Sequence, residues 1–544
     1  MAKVVIVGGV AGGATTAARI RRLDEDAEIV LLERGDYVSF ANCGLPYHIG
    51  GVIPDRESLL VQTAQGMRIR YRIDVRTGHE VLRIYRAEKQ VEVLERETGK
   101  VYREDYDYLV LSPGAEPIQP ALPGIDAEGI FVLRTMEHMD SIIEFIKAKR
   151  PQRAIVVGAG FIGLEMAENF HEIGLKVDIV EMAPQVLTQL DEEMAALVHA
   201  RLRKAGVGLH LGRSVKGFRK LPDGLEVELA DGSALQADMA IMAVGVRPDT
   251  RLAEECGLLV GSAGILVNDY LQTSDPAIYA LGDAVEVRDP ILNRSIPIPL
   301  AGPANKQGRI VANNICGRRE RYPGSVGTAI VQVFGLHVGV AGANRRSLEE
   351  SNIDFSSVII HPFSHAGYYP GAKPLSIKVH FTPGGSLLGA QVVGERGVDK
   401  RIDLLATAIK VGLTVYDLQG LELAYAPPFS SAKDPVNMVG YVAGNVCNGD
   451  VKVVNWDEIG DRFVLDVREP GEYARGHIPG AVNIPLGQLR DRLGELPRDK
   501  EIVVHCRVGM RSYIAVRILM QRGFKSVFNL NGGYRTYSAV MADK

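Results

Sequence analysis

Residues 3–34 read KVVIVGGVAGGATTAARIRRLDEDAEIVLLER, and this stretch decides the fold of the N-terminal region. An apolar run predicts a strand, a glycine turn follows, an amphipathic helix comes next, and a second apolar run ends in Glu33. That order is a βαβ unit. Gly8, Gly12 and Gly13 let backbone N–H groups and a helix N-terminus approach a pyrophosphate, and Glu33 stands where an acid accepts from ribose hydroxyls. Val10 occupies the place of the middle glycine of G-x-G-x-x-G, so this motif alone leaves a non-binding turn open.

Reading outward, residues 153–184, RAIVVGAGFIGLEMAENFHEIGLKVDIVEMAP, repeat the pattern with all three glycines, Gly158, Gly160 and Gly163, and again close a strand with an acid, Glu181. Two cradles imply two nucleotides. Glu181 suits a free 2′-hydroxyl and repels a 2′-phosphate, and Met182 to Gln185 include no Arg or Lys, which favours NADH over NADPH. At 544 residues the chain is expected to form three or four domains. Its 62 basic and 66 acidic side chains leave no electrostatic footprint for nucleic acid or an anionic membrane. No apolar run reaches the length of a membrane span, and a strand pattern beginning at Lys3 leaves no place for a signal peptide, so a cytoplasmic location is expected.

Cysteines Cys43, Cys256, Cys316, Cys447 and Cys506 lie far apart, with no C-x-x-C pair and no expected metal site. Cys43 sits in SFANCGLPYHIG, residues 39–50, where Asn42, Gly44 and Pro46 make a turn composition that favours an accessible thiol. The segments YDYLVLSPGAEP (106–117), ADMAIMAVGVRPDT (237–250) and TSDPAIYALGDAVEV (273–287) follow in order, and a Gly- and Pro-rich region with alternating strands spans 326–445.

This set resembles the two-dinucleotide flavoprotein disulfide reductases. The resemblance makes the first cradle the FAD site, the second the NAD(P)H site, Asp283 the partner of the FAD ribityl chain, and 326–445 a dimerisation domain. Most such enzymes place two cysteines beside the flavin, whereas this chain has Cys43 alone. With HAGYYPG (365–371) and LAYAPP (423–428), the surroundings of Cys43 closely resemble coenzyme A-disulfide reductases. That family implies a homodimer whose partner subunit brings two tyrosines, matched by motif to Tyr368 and Tyr425, to the cysteine. It also implies Ser39, Asn42 and Arg22 as contacts for coenzyme A. Flavin NADH oxidases and peroxidases, which cycle a lone cysteine through sulfenic acid, are the alternative within the same fold.

The last 89 residues, 456–544, change pattern to short strands alternating with helices. LDVREPGEYARGHIPGAVNIP (465–485), CRVGMR (506–511) and NLNGGY (529–534) identify this part as a member of the rhodanese domains. Cys506 ends a strand and opens a loop containing Arg507, Gly509 and Arg511, where backbone N–H groups, a helix start and two guanidiniums suit an anionic persulfide. Asp466 and Arg468 are expected to form a supporting ion pair. The expected architecture is α/β: FAD-binding domain 1–115 and 245–325, NAD(P)H-binding domain 116–244, α+β dimerisation domain 326–445, linker 446–455 and rhodanese domain 456–544. The fusion implies an NADH-dependent reductase of CoA disulfide, CoA persulfide or polysulfide. A sulfur carrier delivering persulfide from Cys506 to a partner is the alternative of a different class.

Overall fold

The computed structural model describes residues 2–544 and divides into two compact units. The first comprises the chain up to Pro184 together with Val207–Gly327. It contains two five-stranded parallel sheets, one for each glycine motif. In the first sheet the strands run in the order Ile278–Ala280, Tyr108–Leu111, Lys3–Val7, Glu28–Glu33, Asp74–Thr77. Strand order reverses at Lys3–Val7, so the carboxyl ends of Lys3–Val7 and Tyr108–Leu111 open a crevice, the place where a doubly wound sheet takes its ligand. Val4, Val5 and Ile6 are wholly buried, because both faces of a parallel sheet are covered.

The second sheet repeats the design in the order Gly208–Leu211, Lys176–Glu181, Arg153–Val157, Met239–Met242, Ile130–Phe131, with the reversal at Arg153–Val157. Each five-stranded sheet is accompanied by a three-stranded antiparallel one, His79–Tyr85 with Gln90–Glu95 and Lys100–Asp105, and Val215–Leu221 with Gly224–Leu229 and Ala234–Ala237.

The second unit comprises Gln185–Gly206 and Thr328–Lys544. Its antiparallel sheet has the order Ala329–Val333, Leu336–Gly342, Leu387–Gly394, Leu375–Phe381, Ser356–Ile360, as the alternating pattern of this region implied. The helix Val398–Val411 packs on it, with Ile402 against Gly339. A parallel sheet near the C-terminus follows the order Lys452–Val454, Val527–Leu530, Ile502–His505, Phe463–Asp466, Val482–Asn483.

Two expected boundaries move. The segment 446–455 is not a linker: the helix Pro435–Cys447 reaches into it, and Lys452–Val454 is an edge strand hydrogen-bonded to Val527–Leu530. The helix Glu192–Lys204, expected within the NAD(P)H-binding domain, belongs to the second unit. Charge holds it there. Lys378 Nζ lies 2.6 Å from both Asp191 and Glu193, and His380 Nε2 lies 2.8 Å from Asp191, all four side chains being buried. Burial pushes the Asp191 carboxyl up, but Lys378 and His380 outweigh it and hold the group well below the usual carboxylate range. Three buried charges, Lys378, Asp191 and Glu193, survive away from water only because each is paired, and His380, lowered by burial, adds a hydrogen bond to Asp191.

Candidate active site

The two cradles solve the same problem identically. Gly8, at φ +92°, has a carbonyl so close to Gly13 that a Cβ there would stand 1.9 Å from the oxygen. Gly158, at φ +101°, and Gly163 repeat this with 2.1 Å. Only glycine permits such an approach of helix to strand. A Cβ on Gly160 would meet no atom within 4 Å, so that face of the second turn is open to a ligand.

The acids have a structural task beside any ribose contact. Glu33 accepts from Gly9 N–H and Gly35 N–H, both at 2.8 Å. Glu181 accepts from Ala159 N–H at 2.7 Å and Ala183 N–H at 2.8 Å. Each carboxylate therefore ties its glycine turn to the end of the next strand, leaving lone pairs for hydroxyl donors. Val10 stands at the N-cap of the helix Ala11–Arg21 and lines the cleft together with Gly12.

Asp283 follows the strand Ile278–Ala280 and lines the same cleft as Gly8, Glu33, Asn42, Ser112 and Arg134. Its carboxyl accepts no hydrogen bond among the described residues; burial pushes it up while the nearby Arg134 guanidinium opposes that. An unsatisfied carboxylate on a cleft wall suits hydroxyl donors such as a ribityl chain. The features fit a dinucleotide in each cradle.

Cys43 is exposed, on the short 3₁₀ turn Asn42–Gly44 that leads into the helix Leu45–Ile49. Its N–H donates to Asn42 Oδ1 at 3.1 Å, and the thiol points to the same oxygen at 3.7 Å. Ser39 N–H donates to Gly9 O at 2.8 Å, which fastens this segment to the first glycine turn, and Ser39 itself sits at φ +49°, a conformation uncommon outside glycine. Protein packed around the sulfur raises the Cys43 thiol through lost solvation first, then through the negative charges of Glu165 and Asp283. Arg22, at the C-terminal end of the helix Ala11–Arg21, is exposed.

In the second unit the hydroxyls of Tyr368 and Tyr425, 57 residues apart, meet at 2.8 Å while both rings stay exposed, at 76% and 47%. At the rhodanese-like loop, Cys506 follows the strand Ile502–His505 and is 1% exposed. Its sulfur accepts from Gly509 N–H at 3.1 Å and Ser512 Oγ at 3.4 Å, just before and within the first turn of the helix Met510–Gln521. Arg511 is clamped by Glu472 through bonds of 2.6 and 2.8 Å, whereas Arg507 is exposed. The expected pair forms: Arg468 Nη2 lies 2.6 Å from Asp466, both buried.

The family model of the pyridine nucleotide-disulphide oxidoreductases matches residues 2–308, the dimerisation-domain model of that family matches 328–435, and the rhodanese-like domain model matches 452–539. The chain belongs to the pyridine nucleotide-disulphide oxidoreductases. The coenzyme A disulfide reductase of Staphylococcus aureus (strain JH9) is 37% identical over 446 residues, 81% of this chain and 100% of that protein. The crystal structure of reduced Bacillus anthracis CoADR-RHD superposes with a TM-score of 0.98 at 49% identity, covering 100% of this chain and 98% of that one. The NAD-dependent persulfide reductase from A. fulgidus gives 0.93 at 39% identity, covering 98% and 100%.

As a pyridine nucleotide-disulphide oxidoreductase the enzyme uses FAD and NAD(P)H, which the two cradles accommodate. Among the described residues no helix is long and apolar enough to cross a membrane. Sequence reading missed Glu165, Tyr47 and Arg134. Glu165 lies on the helix Phe161–Glu172 of the second cradle and accepts from Tyr47 Oη, four residues after Cys43, at 3.2 Å. Burial first, then the charge of Glu168, raises its carboxyl to about 7, against the Tyr47 hydrogen bond. Nothing in the motif marks it, because its character comes from the burial that folding creates.

Glu165 therefore gains its charge as pH rises through neutrality, and that charge opposes ionisation of the Cys43 thiol. In Glu165→Gln the opposition disappears, so thiolate forms at lower pH. Alkylation of Cys43 in the reduced holoenzyme, followed by mass spectrometry of its peptide against pH, is expected to run about two- to tenfold faster above neutrality than in the wild type. An unchanged profile would separate Glu165 from the thiol.

Proposed function

We propose that the protein is an NADH-dependent reductase of CoA persulfide, polysulfide or CoA disulfide, with Cys43 as the thiol that takes the substrate sulfur and Cys506 as a separate station for sulfane sulfur. The observation that carries this is a single exposed thiol beside the first cradle, in a chain whose five cysteines are all free. With no resolving thiol in reach by sequence, the second sulfur comes from the substrate. FAD in the first cradle, when bound, relays two electrons from a nicotinamide held by the second.

The Cys43 thiolate attacks the inner sulfur of CoA–S–SH, forming Cys43–S–S–CoA while the terminal S–S bond breaks and HS⁻ leaves with its electron pair. Two electrons originating in NADH then cleave the mixed disulfide into the Cys43 thiolate and CoA thiolate. NADH becomes NAD⁺ and a proton, so the balance closes with sulfide and CoA as products. Tyr368 and Tyr425, already hydrogen-bonded to each other, supply a phenol pair that donates to a departing thiolate when a second copy of the chain presents it in a homodimer.

Support for a phosphate-bearing substrate comes from Arg22. It stands with Arg19, Arg309 and Arg318, and none of the four makes an ion pair among the described residues; Arg19 is lowered by desolvation and then by the charges of the other three. Uncompensated guanidiniums of this kind attract polyanions such as the diphosphate of CoA. Ser39 and Asn42 would line the thiol end, and Glu181, with exposed Met182 after it, favours NADH.

The test is NADH oxidation by purified protein under three conditions. Rapid oxidation with CoA persulfide or polysulfide in the absence of oxygen, and slow oxidation with oxygen or peroxide alone, is the expected result. The reverse order would make the protein an oxidase or peroxidase acting through Cys43 sulfenic acid.

A further inference from the structure

Tyr368 and Tyr425 stand on two irregular loops of the second unit. The first, 361–374, joins the strands Ser356–Ile360 and Leu375–Phe381; the second, 421–434, joins the helices Val415–Gly420 and Pro435–Cys447. Both rings are exposed, so surface packing does not explain how two hydroxyls 57 residues apart come to lie 2.8 Å from each other. Loops of this kind move unless something beneath ties them down.

What ties them is a buried arginine. Arg401, in the first turn of the helix Val398–Val411, is 1% exposed. Its Nη2 donates to Ser364 O at 2.9 Å, to Asp434 Oδ2 at 3.0 Å and to Ser430 Oγ at 3.2 Å. Ser364 belongs to the loop of Tyr368, whereas Ser430 and Asp434 belong to the loop of Tyr425, so one guanidinium holds both. Gly397, at φ +77°, is shaped around it: a Cβ there would stand 2.5 Å from Arg401 Nη1.

The joint continues on either side. Asp434 accepts from Ser430 Oγ at 2.5 Å and from Val436 N–H at 3.0 Å, and Ala366 N–H donates to Ser430 O at 3.0 Å, a direct bond between the loops. Ser364 Oγ accepts from Lys373 N–H at 3.1 Å, closing the Tyr368 loop on itself. Ser364, Ser430 and Asp434 are all buried. Burial pushes the Asp434 carboxyl up, but Ser430, Val436 N–H, Arg401 and Lys400 together outweigh it and hold it below the usual carboxylate range.

We propose that Arg401, paired with Asp434, is the positioning residue that holds the Tyr368 and Tyr425 hydroxyls together as one proton-donating pair. This rests on the reading of that pair as the donor to a departing thiolate. A buried ion pair adds little stability over well-packed apolar side chains; what the guanidinium adds here is a fixed mutual position of two loops. Position matters because a phenol protonates the leaving sulfur only from within hydrogen-bond reach, and a displacement of about 1 Å costs on the order of a hundredfold in rate. In this role Arg401 acts only through the two loops.

The test is steady-state reduction of CoA persulfide by NADH, without oxygen, using the full-length flavin-loaded protein. Arg401→Lys keeps the charge opposite Asp434, but its Nζ ends one bond short of Nη2, so the contacts to the loops lengthen. It is expected to lower kcat about tenfold while KM for NADH and the flavin spectrum stay unchanged. Tyr368→Phe/Tyr425→Phe is expected to lower kcat about a hundredfold. Adding Arg401→Lys to that variant is expected to cost nothing further, because the pair through which Arg401 acts is already gone. If the two effects multiply, or if Arg401→Lys alone leaves kcat unchanged, Arg401 is merely structural and the proposal falls while the phenol reading stands. If the double tyrosine variant turns over at the wild-type rate, the phenol reading falls and the positioning role falls with it. Ser430→Ala keeps the buried charge pair and removes one bond to the Tyr425 loop; it replaces Arg401→Lys in the same comparison, with the same outcomes, should the lysine variant fold poorly.

Discussion

Replacing Cys43 by serine is expected to lower NADH oxidation with CoA persulfide or polysulfide by at least about a thousandfold while leaving bound flavin in place. Serine is close in size to cysteine and leaves the backbone hydrogen bond to Asn42 in place, so the fold is unaffected. What it removes is the sulfur: an alkoxide does not form at neutral pH, and no other thiol replaces it, since Cys256, Cys316, Cys447 and Cys506 all lie far off in sequence. The assay is steady-state NADH oxidation with each substrate, alongside the flavin spectrum of the variant. Turnover unaffected by the substitution would sink the reductase mechanism, because the electrons would then reach the substrate without a Cys43 adduct.

Cys506→Ser is the second large effect, and it separates the two stations. Persulfide formation in the rhodanese domain is expected to vanish, because the buried sulfur that accepts from Gly509 N–H and Ser512 is the only atom there that can hold a second sulfur. NADH-linked reduction of CoA disulfide is expected to survive at close to the wild-type rate. Single-turnover sulfur uptake and NADH oxidation, measured on one preparation, give both numbers. If instead the whole sulfur-dependent function disappears in a cellular assay while disulfide reduction persists, the sulfur-carrier reading gains and the flavin half becomes an accessory that resets Cys506.

The glycine motifs were legible because a pyrophosphate cradle imposes local requirements: Gly8 needs positive φ, Gly13 needs the absence of a Cβ, and Glu33 must end the adjoining strand. All of these lie within some 30 residues, so spacing carries them. The Cys506 loop was legible for the same reason. Of its two arginines, however, spacing could not say that Glu472 would pair with Arg511. The domain edges shifted at 446–455 and at Glu192–Lys204, where the decisive contacts are a strand pairing to residues 527–530 and a charge cluster with Lys378 and His380.

From the sequence alone follow two parallel-sheet nucleotide domains, an antiparallel sheet, a rhodanese domain and the isolation of Cys43, because periodicity, glycine spacing and the count of cysteines are properties of the chain itself. Only the tertiary structure decided that burial raises the Glu165 carboxyl to about 7 beside that thiol, that the hydroxyls of Tyr368 and Tyr425 meet, and that the backbone of Tyr534 and Arg535 ties down the Cys506 loop. Each depends on desolvation or on contact between residues distant in the chain, and neither quantity exists until the chain has folded.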